Sequence, residues 1–412
     1  MRMSLFKQKM AMDIKEKLKR KFRISLWKAY SSLQWIVFFV LILGSGVVQA
    51  QVTCAPYDAS LPRRDTIPLA PINISAGIDI PVGSIIYRGA WYGGDPGMYH
   101  LLCTSTRPPE TVNYTYNLGI QSAPMTLANT AQYDGKVYNT TIPGIGVIIS
   151  DGANAVSQSA PYANGGIRQL TMNSRYMSHM IYGSTRYLSL IKIGPIYPGS
   201  YALNASSLPT AMIYYDNAPG YPAIPGLPVV SNILEFSGSI NITAQTCTTP
   251  DIIVPMGSYD ANQDFDGVGS TTGWIKTNLE LKNCPAFYGF YDASNTAQLF
   301  NWDQGGASHI PAPTSNTIGA YFAPNTAIVD SANGIMSIDT SAPSSASGVG
   351  IQLGWGDGAP VPFNFSVAQI LTLPRDGRSN VSVPLYARYI QTDGIITPGR
   401  ADGKVTFTIS YY

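Results

Sequence analysis

The 412-residue chain carries 26 Lys or Arg against 24 Asp or Glu, with 39 Gly, 30 Pro and 26 Tyr. Ten of the basic residues and two of the acidic ones fall in residues 1–50, so the remainder holds 16 basic and 22 acidic side chains, a net charge of −6. Its basic residues form no cluster, which argues against a nucleic-acid or polybasic membrane role, and its Pro-punctuated, Gly-, Ser-, Thr- and Tyr-rich composition favours short strands over long helices.

In chain order, the basic stretch Met1–Lys28, the apolar run Trp35–Leu43 and the small-residue ending Val48-Gln-Ala50 predict a secretory signal peptide over 1–50, cleaved after Ala50. The apolar run is shorter than the roughly 20 residues that span a bilayer. The 362 residues that follow suggest two domains, placed at 51–228 and 229–412. All four cysteines lie in this exported part, where an oxidising compartment lets them pair. Of three possible connectivities, Cys54–Cys103 with Cys247–Cys284 is expected, because each bond then staples one domain. No CxxC or Cys/His spacing points to zinc, and His100 and His179 are too isolated to predict a metal site.

The first of these domains reads as strands and turns. Ile78–Ile86 alternates and meets a Gly-rich aromatic stretch, Tyr87–Tyr99, in which Trp91, Tyr92 and Asp95 form the best cluster for stacking on a ligand and binding its hydroxyls. The alternative is that Trp91 packs in a core and Asp95 opens the Pro96-Gly97 turn. Val137–Ser150 is a longer strand interrupted by Pro143 and Gly144. Tyr133 and Asp134, and the loop group Asn154, Tyr162, Asn164 and Arg168, are secondary ligand candidates or plain turn residues. Asp216–Pro228, with four prolines and two glycines, reads as a linker. The second domain opens on the strand Leu234–Ile242, and the chain closes on Asp402–Tyr412, where Val405, Phe407, Ile409 and Tyr411 alternate with Thr406, Thr408, Ser410 and Tyr412. That last strand either pairs with an earlier segment or leaves an open sheet edge.

Catalytic patterns are missing: the exported part keeps three glutamates, Glu110, Glu235 and Glu280, and has no nucleophile elbow, HExxH or phosphate loop. Paired aspartates of a β-sandwich glycoside hydrolase would leave no sequence trace, so that reading stays as a remote alternative. No cofactor is expected.

Several phrases carry a resemblance. Gly348–Leu353, Val383–Tyr389, Gly399 and the penultimate Tyr411, with Leu234–Ile242 leading to Cys247 and Leu279–Cys284 before a proline, resemble the pilin domain of chaperone–usher fimbriae. Pro81–Ile86, Thr141–Val147 and Leu190–Ile196 are similar to the receptor-binding domains of two-domain tip adhesins in that family. The resemblance implies an all-β chain of two tandem β-sandwiches, the second an incomplete immunoglobulin-like fold lacking its last strand. It implies partners as well: a periplasmic chaperone and then the donor strand of the next fimbrial subunit along Val405, Phe407, Ile409, Tyr411 and Tyr412, the outer-membrane usher, and a host receptor glycan or matrix protein. A non-binding tip adaptor is the alternative within the same family. With Cys54 so close to the cleavage site, no donor extension precedes the first domain, and a subunit that accepts but does not donate a strand is expected at the tip of the fimbria, on the bacterial surface.

Overall fold

In the computed structural model, residues 52–93, 99–180 and 183–412 are described; the expected signal peptide lies outside them. These residues are all-β apart from short 3-10 turns. A five-stranded sheet runs in the order Tyr162–Met172, Glu110–Ser122, Thr210–Asn217, Val229–Ser237 and Arg63–Pro68, the last pair parallel. Facing it, a seven-stranded sheet runs Ala307–His309, Ala297–Asn301, Ile85–Gly93, Ser184–Lys192, Ile145–Asp151 and Tyr138–Asn139, with Asn154–Val156 also paired to Ile145–Asp151. Period-two alternation builds the layer between them: Val112, Tyr114, Tyr116, Leu118 and Ile120 from one sheet meet Leu188, Leu190, Ile145, Val147 and Ile149 from the other. Cys54 and Cys103 sit directly opposite each other in an adjoining small sheet and are bonded.

The C-terminal part packs a six-stranded sheet against a three-stranded one. Val381–Gln391 lies between Ile275–Leu281 and Val349–Trp355, and the smaller sheet runs Gln369–Thr372, Thr317–Pro324, Val405–Tyr411. Leu279, Leu281, Ile318, Phe322, Phe363, Val383 and Leu385 fill the space between, and Cys247 is bonded to Cys284 at its margin.

The sheets do not divide at the expected boundary of 228/229. Val229–Ser237 is hydrogen-bonded between Thr210–Asn217 and Arg63–Pro68, and Ser239–Thr243 pairs with Ser200–Asn204 and Asn73–Ser75. Further along, Ala297–Asn301 adds in parallel to the edge strand Ile85–Gly93. Leu234, Ile240, Ile242, Ala297 and Leu299 accordingly belong to the first core. The Pro-rich stretch before 229 is a loop between paired strands rather than a break between independent units.

The terminal strand has a definite handedness of bonding. Thr317 and Tyr412 exchange both backbone hydrogen bonds, and Asn325 donates to Lys404. Antiparallel geometry then turns Thr406, Thr408 and Ser410 toward Thr317–Pro324, and turns the N–H and C=O groups of Val405, Phe407, Ile409 and Tyr411 to the other side. On that side Tyr411 is covered: its N–H donates to the Asp79 carboxylate at 2.8 Å, and its C=O accepts from the Asp79 N–H at 3.0 Å. Gly77 makes this approach feasible, because a Cβ there would fall 2.5 Å from the Tyr411 carbonyl oxygen. The Asn316 amide ties the same junction, donating to Ser75 and Tyr412 carbonyls and accepting from the Gly289 N–H. Among the described residues, no strand lies beside Val405–Ile409 on the open side.

A fragment ending at 228 should therefore fail to fold by itself. It lacks the strand between Thr210–Asn217 and Arg63–Pro68 and the cover on Ile85–Gly93, which leaves apolar edges exposed. Urea unfolding of residues 52–228 should show no cooperative transition where 52–412 shows one; matching cooperative curves would contradict this assignment.

Candidate functional site

The inward-facing rows of the first sandwich change character together at one end. Along Ser184–Lys192, Leu190 and Leu188 are followed in phase by Arg186; along Ile145–Asp151, Ile145, Val147 and Ile149 are followed by Asp151; along Tyr162–Met172, Met172 and Leu170 are followed by Arg168. The register sets Trp91, Arg186, Asp151 and Asn154 side by side across four strands of the seven-stranded sheet. From the opposite sheet, Tyr116 stands beside Tyr215, and Arg168 beside Tyr114, on the facing surface.

These groups touch across the layer. The Arg186 guanidinium donates to the Tyr116 hydroxyl at 3.2 Å and to the Gly93 carbonyl at 3.3 Å, with Asp151 Oδ2 at 3.9 Å from its Nε. A β-bulge in Tyr162–Met172, between Ala163 and Ile167, carries Asn164 over the end of the sandwich, where its amide donates to Asp151 Oδ2 at 2.8 Å. Arg168 donates to the Asn164 carbonyl at 3.2 Å and stands over the Tyr116 ring. The result is a polar plug. Asn164, Arg168 and Asp151 are half-buried and reach solvent, while Arg186, Tyr116, Tyr215 and Trp91 lie behind them, Arg186 only 1% exposed.

Burial dominates the electrostatics. It pushes the Tyr114 hydroxyl up to about 12, and raises Tyr116 and Tyr215, so all three rings stay neutral and act as hydrogen-bonding groups only. His179, against Tyr114 and Tyr215, is held below its ordinary 6.5 by burial, then by Arg168 and His100. The N–H groups of Trp91 Nε1, Arg168 Nε and Arg186 Nε and the Tyr215 hydroxyl have no hydrogen-bond partner, an uncommon concentration in one place.

The sequence-named residues scatter around this centre. Asn164, Arg168 and Asn154 belong to it, and half-buried Tyr162 begins the bulged strand. Trp91 is no loop residue: it is 0% exposed, sits mid-sheet and packs edge-on against Phe236 at 5.6 Å. Its glycine neighbours misled the loop reading, since Gly89 lies in the strand to leave room for Leu299, 2.5 Å from where its Cβ would be. Tyr92 is paired with Thr185 and points to the other face; Asp95 lies outside the described residues. Tyr133 and Asp134 stand apart in a left-handed turn, with φ of 50° and 55°, and Tyr133 helps line a cleft of about 640 Å³ with Phe290, Asp292 and Tyr412. Asp151, Arg186, Tyr116 and Tyr215 escaped sequence reading, although Arg186 falls in phase with Leu188 and Leu190. Val405, Phe407 and Ile409 are half-buried over the second core, and Tyr411 is buried with its hydroxyl accepting from the Cys247 N–H at 3.0 Å. Among the described residues, no group of His, Cys, Asp or Glu is arranged to hold a metal ion.

Residues 234–412 match the family model described as fimbrial protein. That stretch, a little under half of the chain, is similar to the fimbrial protein family. Along nearly its whole length the chain is also similar to a fimbria adhesin protein of Klebsiella pneumoniae, 24% identical over 381 residues that cover 91% of this chain and 99% of the relative. The resemblance to fimbrial adhesins read from the sequence holds. Among solved structures, the chain is similar to a tip adhesin of Pseudomonas aeruginosa, with 13% identity, TM-score 0.28, and coverage of 87% of this chain and 94% of that one. It is also similar to the receptor-binding domain of a plasmid-borne adhesin of Klebsiella pneumoniae, with 22% identity, TM-score 0.26, and coverage of 48% of this chain and 98% of that one.

Two outcomes follow for this chain. Trp91→Ala should cost about 3–5 kcal/mol of stability, as truncation of a buried Trp does, read as a large fall in melting temperature; an unchanged melting curve would return Trp91 to the surface. His179 is neutral in the fold, so its contribution is intact above 6.5 and is lost as pH falls from 6.5 toward its depressed folded value. The melting temperature should drop across that window, and less so in His179→Gln; equal drops in both would contradict the assignment.

Proposed function

We propose that the protein is the tip adhesin of a chaperone–usher fimbria, exported through the periplasm and exposed on the bacterial surface. The observation that carries the reading is the terminal strand. Its apolar side chains face the second core, and the backbone groups of Val405, Phe407 and Ile409 face an unpaired edge, so an incoming strand finds both hydrogen bonds and pockets. In this reading the periplasmic chaperone adds a strand there first, the outer-membrane usher exchanges it, and the next subunit's donor strand completes the incomplete sandwich of the fibre-joining part. The first sandwich, with its polar end, faces a host glycan or matrix protein.

The test uses the full exported chain co-expressed with its cognate chaperone. Changing Phe407 and Ile409 to Thr removes two partly buried anchors, each contributing about 1.5–3 kcal/mol when fully covered. Chaperone capture should fall by at least about a hundredfold. Thr406→Val with Thr408→Val, on the opposite face, should leave capture intact. Equal capture of both double variants would sink strand addition at this edge, and failure of fimbriated cells to adhere to any glycan or matrix surface would leave the chain a tip adaptor.

A further inference from the structure

We infer that the polar end of the first sandwich binds an acidic saccharide, its carboxylate or sulfate group seated between Arg168 and Arg186. This rests on the adhesin reading and names the ligand class of that site. Charge is the first argument: two guanidinium groups lie against the Tyr116 ring, Arg168 bonded to the Asn164 carbonyl and Arg186 to neutral oxygens of Tyr116, Gly93 and Ser184, while the Asp151 carboxylate is 3.9 Å from Arg186 and already accepts from Asn164. His179 adds no compensating negative charge and is held neutral. A buried guanidinium so incompletely paired is costly unless a further anion completes it.

Hydrogen bonding points the same way. The unpartnered groups here are Trp91 Nε1, Arg168 Nε, Arg186 Nε and the Tyr215 hydroxyl, three groups that can only donate and one that can donate or accept, so the balance lies with donors. A ligand that satisfies them is rich in acceptors and negatively charged, which describes a carboxylate or sulfate and not a neutral hydroxyl. The saccharide part follows from the rim. Half-buried Asp151 and Asn164 offer an acceptor and an amide for ring hydroxyls, with the buried Tyr116 and Tyr114 rings packed behind them against Tyr215. Arg168 is the reachable cation, on an edge strand beside two glycines of positive φ, Gly165 and Gly166, that let the bulge open toward solvent.

The experiment measures binding of the full exported chain, held with its chaperone, to immobilised 3′-sialyllactose, lactose, heparin and desulfated heparin. Binding to sialyllactose or desulfated heparin identifies a carboxylate; binding to heparin alone identifies a sulfate. Either should weaken as ionic strength rises and fall about tenfold or more in Arg168→Gln, with Arg168→Lys intermediate and melting temperatures unchanged. Arg186 is left alone because its removal would also disturb the fold. Equal affinity for lactose and sialyllactose, or full affinity in Arg168→Gln, overturns the acidic-ligand inference while the adhesin reading stands. Binding to a protein matrix but to no saccharide also overturns it. Absence of binding to every glycan and matrix protein removes both.

Discussion

A sheet edge is a row of unpaired N–H and C=O groups, and the way this chain covers its edges accounts for most of its architecture. The edge of Ile85–Gly93 is covered in parallel by Ala297–Asn301, a segment more than two hundred residues downstream. Val229–Ser237 is covered by Arg63–Pro68, and Arg63 in turn lies 3.8 Å from the Trp302 ring, fastening the same downstream segment. These long-range pairings bind the first sandwich to the C-terminal half. The terminal strand is left open along most of its length: Asp79 satisfies it at Tyr411, and beyond that point, among the described residues, no strand lies beside the backbone groups of Ile409, Phe407 and Val405. A fibre subunit that joins by strand addition needs one edge of this kind and must protect the others.

The polar end of the first sandwich obeys a related constraint. Apolar alternation holds the two sheets together only while inward positions stay apolar, and here Arg186 and Asp151 on neighbouring strands, with Arg168 facing them from the opposite sheet, interrupt it at one end. Burying those groups is unfavourable unless they satisfy one another, and they do so only in part. Function is the economical reason for a fold to keep such a cluster, since apolar residues there would stabilise it more.

Much of the fold was legible from period-two patterns. The row Val405, Phe407, Ile409, Tyr411 faces the core as its spacing requires, and the strands that the composition favours over long helices are present, as the resemblance to an all-β family implied. The domain boundary was not legible, because the Pro-rich stretch before 229 looks like a linker whether or not the strand after it pairs backwards; pairing partners 169 residues apart leave no local mark. The stretch around Trp91 failed for a different reason. Glycines at 89 and 93 suggest a loop, whereas Gly89 serves a tight sheet contact with Leu299. The site was half legible: Asn154, Asn164 and Arg168 stood out in a polar, glycine-rich stretch, while Arg186 and Asp151 were hidden inside strands where charge is seldom sought.

The open edge can be examined residue by residue through amide hydrogen exchange in the full exported chain. Thr406, Thr408 and Ser410 are bonded to Thr317–Pro324 and should be protected both before and after a donor-strand peptide is added. Val405, Phe407 and Ile409 should exchange freely without the peptide and become protected with it. If those three amides are already protected in the chain alone, the edge is not open and strand addition does not occur there.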